Sequence, residues 1–318
     1  MTLIVSTRVM NFSVFVVLLL LGTCSAVKYQ NVALRGVATQ PSLENKFGGA
    51  YNAIDGNHES NFHAGSCSHT TEMKNPWWRL DLLESYIITS ITIVNRGDCC
   101  KSRINGMEVH VGNSVERNGF ENPMVATIAD IGRAPTFSQT FTDRVEGRYV
   151  TLVIPGSQRI VTVCEVEVYG YRSPTGENLA LQGKATQSSL FQFGFANNAI
   201  DSSPDSEWGD GSCSHTNNDI VPWWRLDLRK TYKVFTVKIT TMKSNPERLN
   251  GAEVRIGDSL DNNGNSNARC AVIQSSEAGA TAEFQCPGLD GRYVNIVIPG
   301  REEFLSLCEV EVYGSRLD

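Results

Sequence analysis

PWWRLDLLESYIITSITIV, Pro76 to Val94, decides the fold class. Trp78, Leu80 and Leu82 alternate with Arg79 and Asp81, and the run from Tyr86 to Val94 is rich in β-branched residues, the period-two pattern of a half-buried strand. Arg79 and Asp81 share one strand face and read as an ion pair, with Trp77 and Trp78 as core. MEVHV from Met107, RYVTLVI from Arg148 and EVEVY from Glu165 repeat the pattern, separated by Gly, Asn, Asp and Pro. No amphipathic stretch of 12 or more residues with helix caps competes with them. The sequence therefore predicts an all-β chain of antiparallel, jelly-roll β-sandwiches.

The same stretch returns. PWWRLDL recurs unchanged from Pro222, NVALRGVATQ from Asn31 becomes NLALQGKATQ from Asn178, and GSCSHT from Gly65 recurs from Gly211. GRYVTLVIPG from Gly147 becomes GRYVNIVIPG from Gly291, and CEVEVYG recurs from Cys164 to Cys308, with the offset always between 144 and 147. Two copies of one domain-sized unit are expected, 27–172 and 173–318, joined by the polar linker YRSPTG from Tyr171 to Gly176. Ahead of them, Arg8, the apolar run FSVFVVLLLL and the small residues Cys24, Ser25 and Ala26 make residues 1–26 an expected secretory signal peptide. No later segment approaches 18 apolar residues, so a secreted, extracellular protein without a transmembrane anchor is predicted.

The 318 residues carry a formal charge of −6, which becomes −7 when the signal takes Arg8 and no acid with it. Mild acidity without a Lys/Arg cluster argues against nucleic acid or an anionic membrane as partner. Removing Cys24 leaves eight of the nine cysteines, an even number for an oxidising compartment. Cys67 and Cys164 match Cys213 and Cys308 across the repeat, so those two bonds are expected in both copies. Each closes nearly 100 residues, worth roughly 4 to 5 kcal/mol on the chain-entropy account. Cys270 and Cys286 remain to pair in the second unit. In the first only the neighbours Cys99 and Cys100 remain, and they bond to each other unless they stay free or pair between molecules. A vicinal disulfide beside Arg96, Asp98 and Arg103 would be a small apolar plate among charged groups, a combination suited to a sugar.

These residues carry a resemblance. His69, 26 residues, Arg96, Gly97, Asp98, four residues and Arg103, together with the vicinal cysteines, resemble the signature of the F-type lectins (fucolectins), and the likeness extends over both units. It implies two galactose-binding-domain-like carbohydrate-recognition domains that bind fucosylated glycans through terminal α-L-fucose. His69, Arg96 and Arg103 would then donate hydrogen bonds to the sugar, Asp98 would hold the cations, Cys99–Cys100 would pack on ring carbons, and Phe62 would form a recess for the 6-deoxy methyl. Arg96-Gly97-Asp98 also spells an integrin-recognition tripeptide, a reading the locked cluster disfavours.

NAIDGN, Asn52 to Asn57, packs oxygen donors into a tight turn suited to calcium, with an Asx turn lacking any ion as the rival reading. The resemblance fills the shell with Asn52, Asp55, Asn57, Ser66, Cys164 through its backbone and Glu165. In the second unit it does so with Asn198, Asp201, Ser203, Ser212, Cys308 and Glu309, one structural calcium per domain. The second unit keeps His215 and has Trp208 at the Phe62 position, but NRGDCCKSR has become TMKSNPER, Thr241 to Arg248. Arg248 matches Arg103, Met242 or Lys243 stands at the Arg96 position, and Asp98 and both cysteines have no clear counterpart. That possible second site is expected to be altered in ligand or inactive. No paired carboxylates face a common site, so the chain reads as a binding protein rather than an enzyme. Recognition of microbial glycans in innate immunity, and a homo-oligomer, are compatible with this; a discoidin-like adhesion module binding protein or lipid through loop tips is the alternative.

Overall fold

The computed structural model describes residues 29–130 and 135–317; the expected signal peptide lies outside them. Among the described residues the regular structure is strand and short 3-10 turn, with no α-helix. The first unit contains β1 (Val37–Thr39), β2 (Ser68–His69), β3 (Trp77–Asn95), β4 (Met107–Gly112), β5 (Met124–Ile128), β6 (Thr136–Val153) and β7 (Thr162–Arg172). The second contains β8 (Lys184–Gln187), β9 (Ser214–His215), β10 (Asp219–Ile220), β11 (Trp223–Thr240), β12 (Glu253–Gly257), β13 (Ala268–Val272), β14 (Thr281–Val297), β15 (Glu302–Glu303), β16 (Ser306–Leu307) and β17 (Glu309–Arg316). Every pairing described is antiparallel, and no sheet among the described residues mixes strands of the two units.

PWWRLDLLESYIITSITIV forms most of β3, a strand of 19 residues that serves both layers of its sandwich. Its first part, Trp77–Asp81, pairs with β1 and β6; its second, from Tyr86 on, pairs with β6 and β7. The ribbon turns between them at Leu83, whose φ of 70° is left-handed, and Asp81 accepts the Leu83 amide at 2.7 Å. The same carboxylate takes a bidentate fork from Arg148 at 2.7 and 2.8 Å. Asp227, Arg229 and Arg292 repeat the device in β11 and β14. The ion pair expected on this face thus joins Asp81 to Arg148 across strands and not to Arg79. Arg79 instead stacks over Trp77 and Tyr149, at 5.3 and 5.8 Å. Trp77 belongs to that outer face and is only half buried, a correction to its reading as core.

Trp78, Leu80 and Leu82 face inward as their alternation requires and join Ile91, Ile93, Val150, Leu152, Val166 and Val168 in one core; Trp224 and Leu226 do so in the second unit. The buried indoles find a partner, as buried tryptophans do. Trp78 donates to the Ala50 carbonyl at 3.0 Å and Trp224 to that of Ala196 at 2.9 Å. Each core tryptophan thereby anchors the 3-10 turn that leads into an acidic loop, Ala50–Ile54 or Ala196–Ile200. Cys67 is joined to Cys164, Cys99 to Cys100, Cys213 to Cys308 and Cys270 to Cys286.

Candidate functional site

Three elements of the first unit end at one place. β2 delivers His69, β3 runs out at Asn95 and hands on Arg96, and the 3-10 turn Lys101–Ile104 carries Arg103. A fourth, the turn Phe62–Ala64, brings Phe62 beneath them. Arg96 lies over the Phe62 ring at 4.5 Å, the Phe62 and His69 rings are 5.0 Å apart, and Arg103 Nη1 is 3.3 Å from His69 Nε2. Asp98 takes a fork from Arg96 through Nε and Nη2, at 3.0 and 2.7 Å, and also accepts the Phe62 amide at 2.9 Å. One carboxylate thus fixes both the guanidinium and the ring under it, and the Arg96 edge bearing Nη1 is outside that fork. Arg96 is 7% exposed and locked to Asp98, which leaves the tripeptide no freedom as an integrin ligand. Gly97 joins them: its amide donates to the Ser60 carbonyl at 2.7 Å, and a Cβ there would lie 2.4 Å from Ser60 Oγ, so that hydroxyl would have to turn aside. Cys100 opens the Arg103 turn in a left-handed conformation, φ 59°, with Cys99 half buried and Cys100 exposed beside the cluster.

The electrostatics revise one role. His69 Nδ1 is 2.8 Å from the Thr70 carbonyl, so the neutral ring donates there and Nε2 is left as an acceptor facing Arg103. Burial, reinforced by the charges of Arg103 and Arg96, lowers its pKa below the ordinary 6.5 and keeps that form. On this tautomer Nε2 presents an acceptor at the cluster, whereas the sequence reading expects a donor there. The Arg96 fork holds the Asp98 carboxyl far below the usual carboxylate range.

In the second unit the backbone fixes the correspondence that the sequence left open. Lys243 donates to the Ser206 carbonyl as Gly97 does to Ser60, and Asn245, left-handed at φ 55°, opens the Arg248 turn as Cys100 opens that of Arg103. Met242 therefore occupies the Arg96 position. Lys243 is ion-paired to Glu207, and Arg248 Nε is 3.9 Å from Glu303. His215 Nδ1 donates to the Thr216 carbonyl at 2.7 Å, and the His215 pKa is lowered by burial, as for His69. Around His215 stand Trp208, Phe191 and Phe304, with ring centroids at 5.0, 4.9 and 5.6 Å. Phe191 and Phe304 were missed by the sequence reading. The signal was the repeat itself: Phe191 takes the place of Glu44, since both amides donate to the histidine carbonyl, and Phe304 that of Ile160.

The acidic loops lie beside these sites. Asp55 Oδ1 accepts the Asn57 amide at 2.9 Å, and Asn57 Oδ1 that of Glu59 at 3.0 Å, so consecutive Asx turns form. Asn52 donates to the Phe47 and Cys67 carbonyls, and the Ser66 hydroxyl donates to those of Glu59 and Asn61. Glu165 is fully buried; Oε1 accepts the Gly56 amide at 3.2 Å, while Oε2 has no partner. Burial, then the Asp55 charge, pushes its carboxyl up to about 7. Cys164 adjoins it, tied to Cys67. Glu309 repeats the deficit with Oε2 unpartnered and a carboxyl pushed up to about 7 by burial and Asp201. Asp201 accepts the Ser203 amide at 2.8 Å, Asn198 and Ser212 bond as Asn52 and Ser66 do, and Cys308 adjoins Glu309. An orphaned buried carboxylate oxygen among carbonyls and a second carboxylate fits a hard cation such as calcium.

Known proteins are similar to this chain in sequence and fold. The profile of the NedA-like, galactose-binding domain matches residues 52–152 and again 198–296. Fucolectin-1 of Anguilla japonica is 48% identical over 143 residues, covering 44% of this chain and 80% of that protein. The fucolectin of Anguilla anguilla is 46% identical over 143 residues, 44% of this chain and 90% of that protein. The crystal structure of an F-lectin (fucolectin) from striped bass, Morone saxatilis, serum superposes with a TM-score of 0.88 at 64% identity, over 91% of this chain and 99% of that one. With both units matched by the domain profile and nearly the whole chain matched by a two-domain-sized relative, this chain belongs to the F-type lectin, or fucolectin, family.

Proposed function

We propose that the first domain binds terminal α-L-fucose on glycans, without catalysis. The observation that carries this reading is the convergence of His69, Arg96 and Arg103 over Phe62, beside the Cys99–Cys100 ring. A hydroxyl placed between Arg103 and His69 Nε2 accepts from the guanidinium and donates to the imidazole, so both its lone pair and its proton are used. The Nη1 edge of Arg96 reaches a second oxygen, and Asp98 keeps that guanidinium from turning away. Phe62 and the disulfide supply the apolar surface against which the ring carbons and the C6 methyl lie; a C6 hydroxyl there would lose its partners.

Calcium, held by Asp55, Glu165, the carbonyl of Ser66 and the main chain around Asn52, Asn57 and Cys164, would neutralise the buried carboxylate and brace the loop that carries Phe62. The second domain's set of Asn198, Asp201, Ser203, Ser212, Cys308 and Glu309 plays the same part. Export and a role in recognising foreign glycans fit a chain whose relative in striped bass is a serum protein.

The test is a glycan array with the native chain and Arg96→Ala. Fucose-terminated glycans should bind the native chain, and the first-site signal should fall at least about tenfold in the variant while its melting temperature stays within about 2 °C. An unchanged array profile for Arg96→Ala would overturn the reading.

A further inference from the structure

We propose that the second domain carries a binding pocket for a small neutral aromatic molecule bearing one hydroxyl, seated where the first domain places the ring of Phe137. The pocket shares no lining residue with the cluster around His215.

The register of the two sandwiches locates it. Ile93 of β3 stands opposite Phe137 of β6, and its counterpart Ile239 of β11 stands opposite Ala282 of β14. Phe137 packs on the first core, whereas Ala282 leaves the corresponding volume unfilled. The aromatic has moved two residues along the same face of the strand, to Phe284, where the first unit has Gln139. Phe284 is thus a wall of the space and not its filling. What results is a cavity of about 220 Å³ whose apolar lining is Ile239, Ile273, Ala282 and Phe284, with Ala280 beside them. An apolar cavity of roughly 150 Å³ is enough to take up benzene, so one ring fits with room for a substituent.

Such a space ordinarily shrinks as its walls relax into it. Here the walls are held from outside. β11 and β14 are locked by their ladder, and the segment 277–280 hangs on Thr241. The Thr241 hydroxyl donates to the Glu277 and Ala280 carbonyls, and its amide donates to that of Ala280 at 3.0 Å. On the far side Gly279 lies against Ser206, close enough that a Cβ would come within 2.7 Å of the Ser206 Oγ. These bonds would have to break before the segment could sink into the cavity.

The polar lining sets the chemistry of the occupant. Ser276 lines the space, and its Oγ is buried with no hydrogen-bond partner among the described residues, so a hydroxyl on the ring gains a bond there. Glu277 is the one charged side chain of the lining and repels an anion. An ammonium would leave its charge over Ile239 and Ile273, and a sugar would bring several hydroxyls against the apolar lining. A neutral phenol meets all three conditions.

The experiment uses the full chain, isotope-labelled at its isoleucine methyl groups, and follows the Ile273 δ-methyl resonance, assigned by its loss in Ile273→Val. Para-cresol should shift it saturably. Toluene, which lacks the hydroxyl, should bind about fivefold more weakly, and para-toluate, an anion, at least about tenfold more weakly. Ser276→Ala should bring para-cresol down to the affinity of toluene and leave toluene unchanged. Ala282→Phe, which installs the first domain's own residue, should abolish the response to every probe while the melting temperature of the second domain holds or rises. The proposal is overturned by a methyl signal that para-cresol leaves in place or moves without saturation, by toluene binding as tightly as para-cresol, or by shifts that persist in Ala282→Phe. A fall in the melting temperature of Ala282→Phe would overturn it too, because it would mean that no ring fits the space.

Discussion

At the scale of single residues, the binding cluster works by fixing protons as much as positions. Thr70 takes the Nδ1 proton of His69 and so dictates what Nε2 can do, a consequence no spacing motif conveys, because it depends on a carbonyl orientation set by β2 pairing with β7. The identities His69, Arg96 and Arg103 were legible from their spacing; the direction of the His69 hydrogen bond was not. The same limit applied to Asp81, whose partner Arg148 is 67 residues away and gives no local sign. A pH prediction follows from the His69 tautomer. Its folded pKa lies below 6.5 because of burial and the neighbouring guanidinium groups, so between that value and 6.5 the unfolded chain binds more protons than the folded one. Acidification therefore removes stability in that window, and it also converts Nε2 from acceptor to donor opposite Arg103. Calorimetric fucose titrations with the native chain should give constant affinity from pH 8 to about 7 and a decline at lower pH. Affinity that rises on acidification would mean that His69 acts as a donor.

At the scale of elements, the loops that carry the site are held by two kinds of staple with different exposure. Cys67 and Cys164 are fully buried, as are Cys213 and Cys308, whereas Cys99 is half buried and Cys100 exposed. Mild phosphine reduction should open the 99–100 bond first. Because that bond closes almost no loop, it adds little to chain entropy, and its opening should weaken fucose binding several-fold while lowering the first domain's melting temperature by less than about 2 °C. A larger loss of stability than of binding would make the bridge structural. The acidic loop makes the second prediction at this scale. With Glu165 Oε2 buried and unpartnered, a cation at 100 times its Kd would stabilise the folded domain by about 2.7 kcal/mol, roughly 5–10 °C of melting temperature. Scanning calorimetry should show that shift between chelator and calcium, and Glu165→Gln should abolish it for the first domain. Equal shifts in variant and native chain would place the ion elsewhere. The strands themselves were readable from period two. What was not readable is that β3 passes through both layers as one ribbon, since the left-handed turn at Leu83 falls on a residue type that ordinarily avoids it.

At the scale of the whole molecule, the repeat is symmetric in its cores and asymmetric where the copies meet. Ile87 and Thr89 of β3 correspond to Lys233 and Phe235 of β11. Lys233 is 9% exposed and pairs with Asp290 at 2.7 Å. Its ammonium lies 5.5 Å from the Tyr29 ring and 5.3 Å from that of Tyr171, both in the first unit, and Tyr171 is 6.0 Å from Phe235. A buried cation enclosed by two rings of the other copy makes the junction specific, because sliding either unit strips those rings from a Lys233–Asp290 pair that the second unit keeps to itself. Lys233→Met keeps the length and apolar stem but leaves Asp290 uncompensated, at a cost of about 3 kcal/mol shared between the second domain and the junction. If the cage holds the two binding faces in a fixed relation, small-angle scattering should show a broader distribution of interdomain distances in Lys233→Met, and Asp290→Asn in the same chain should restore part of the stability by removing the unpaired charge. Fucoside affinity at the first site, which lies on other loops, should not change. Scattering curves identical to those of the native chain would mean that the linker from Tyr171 to Gly176, and not the caged lysine, sets the geometry between the two sites.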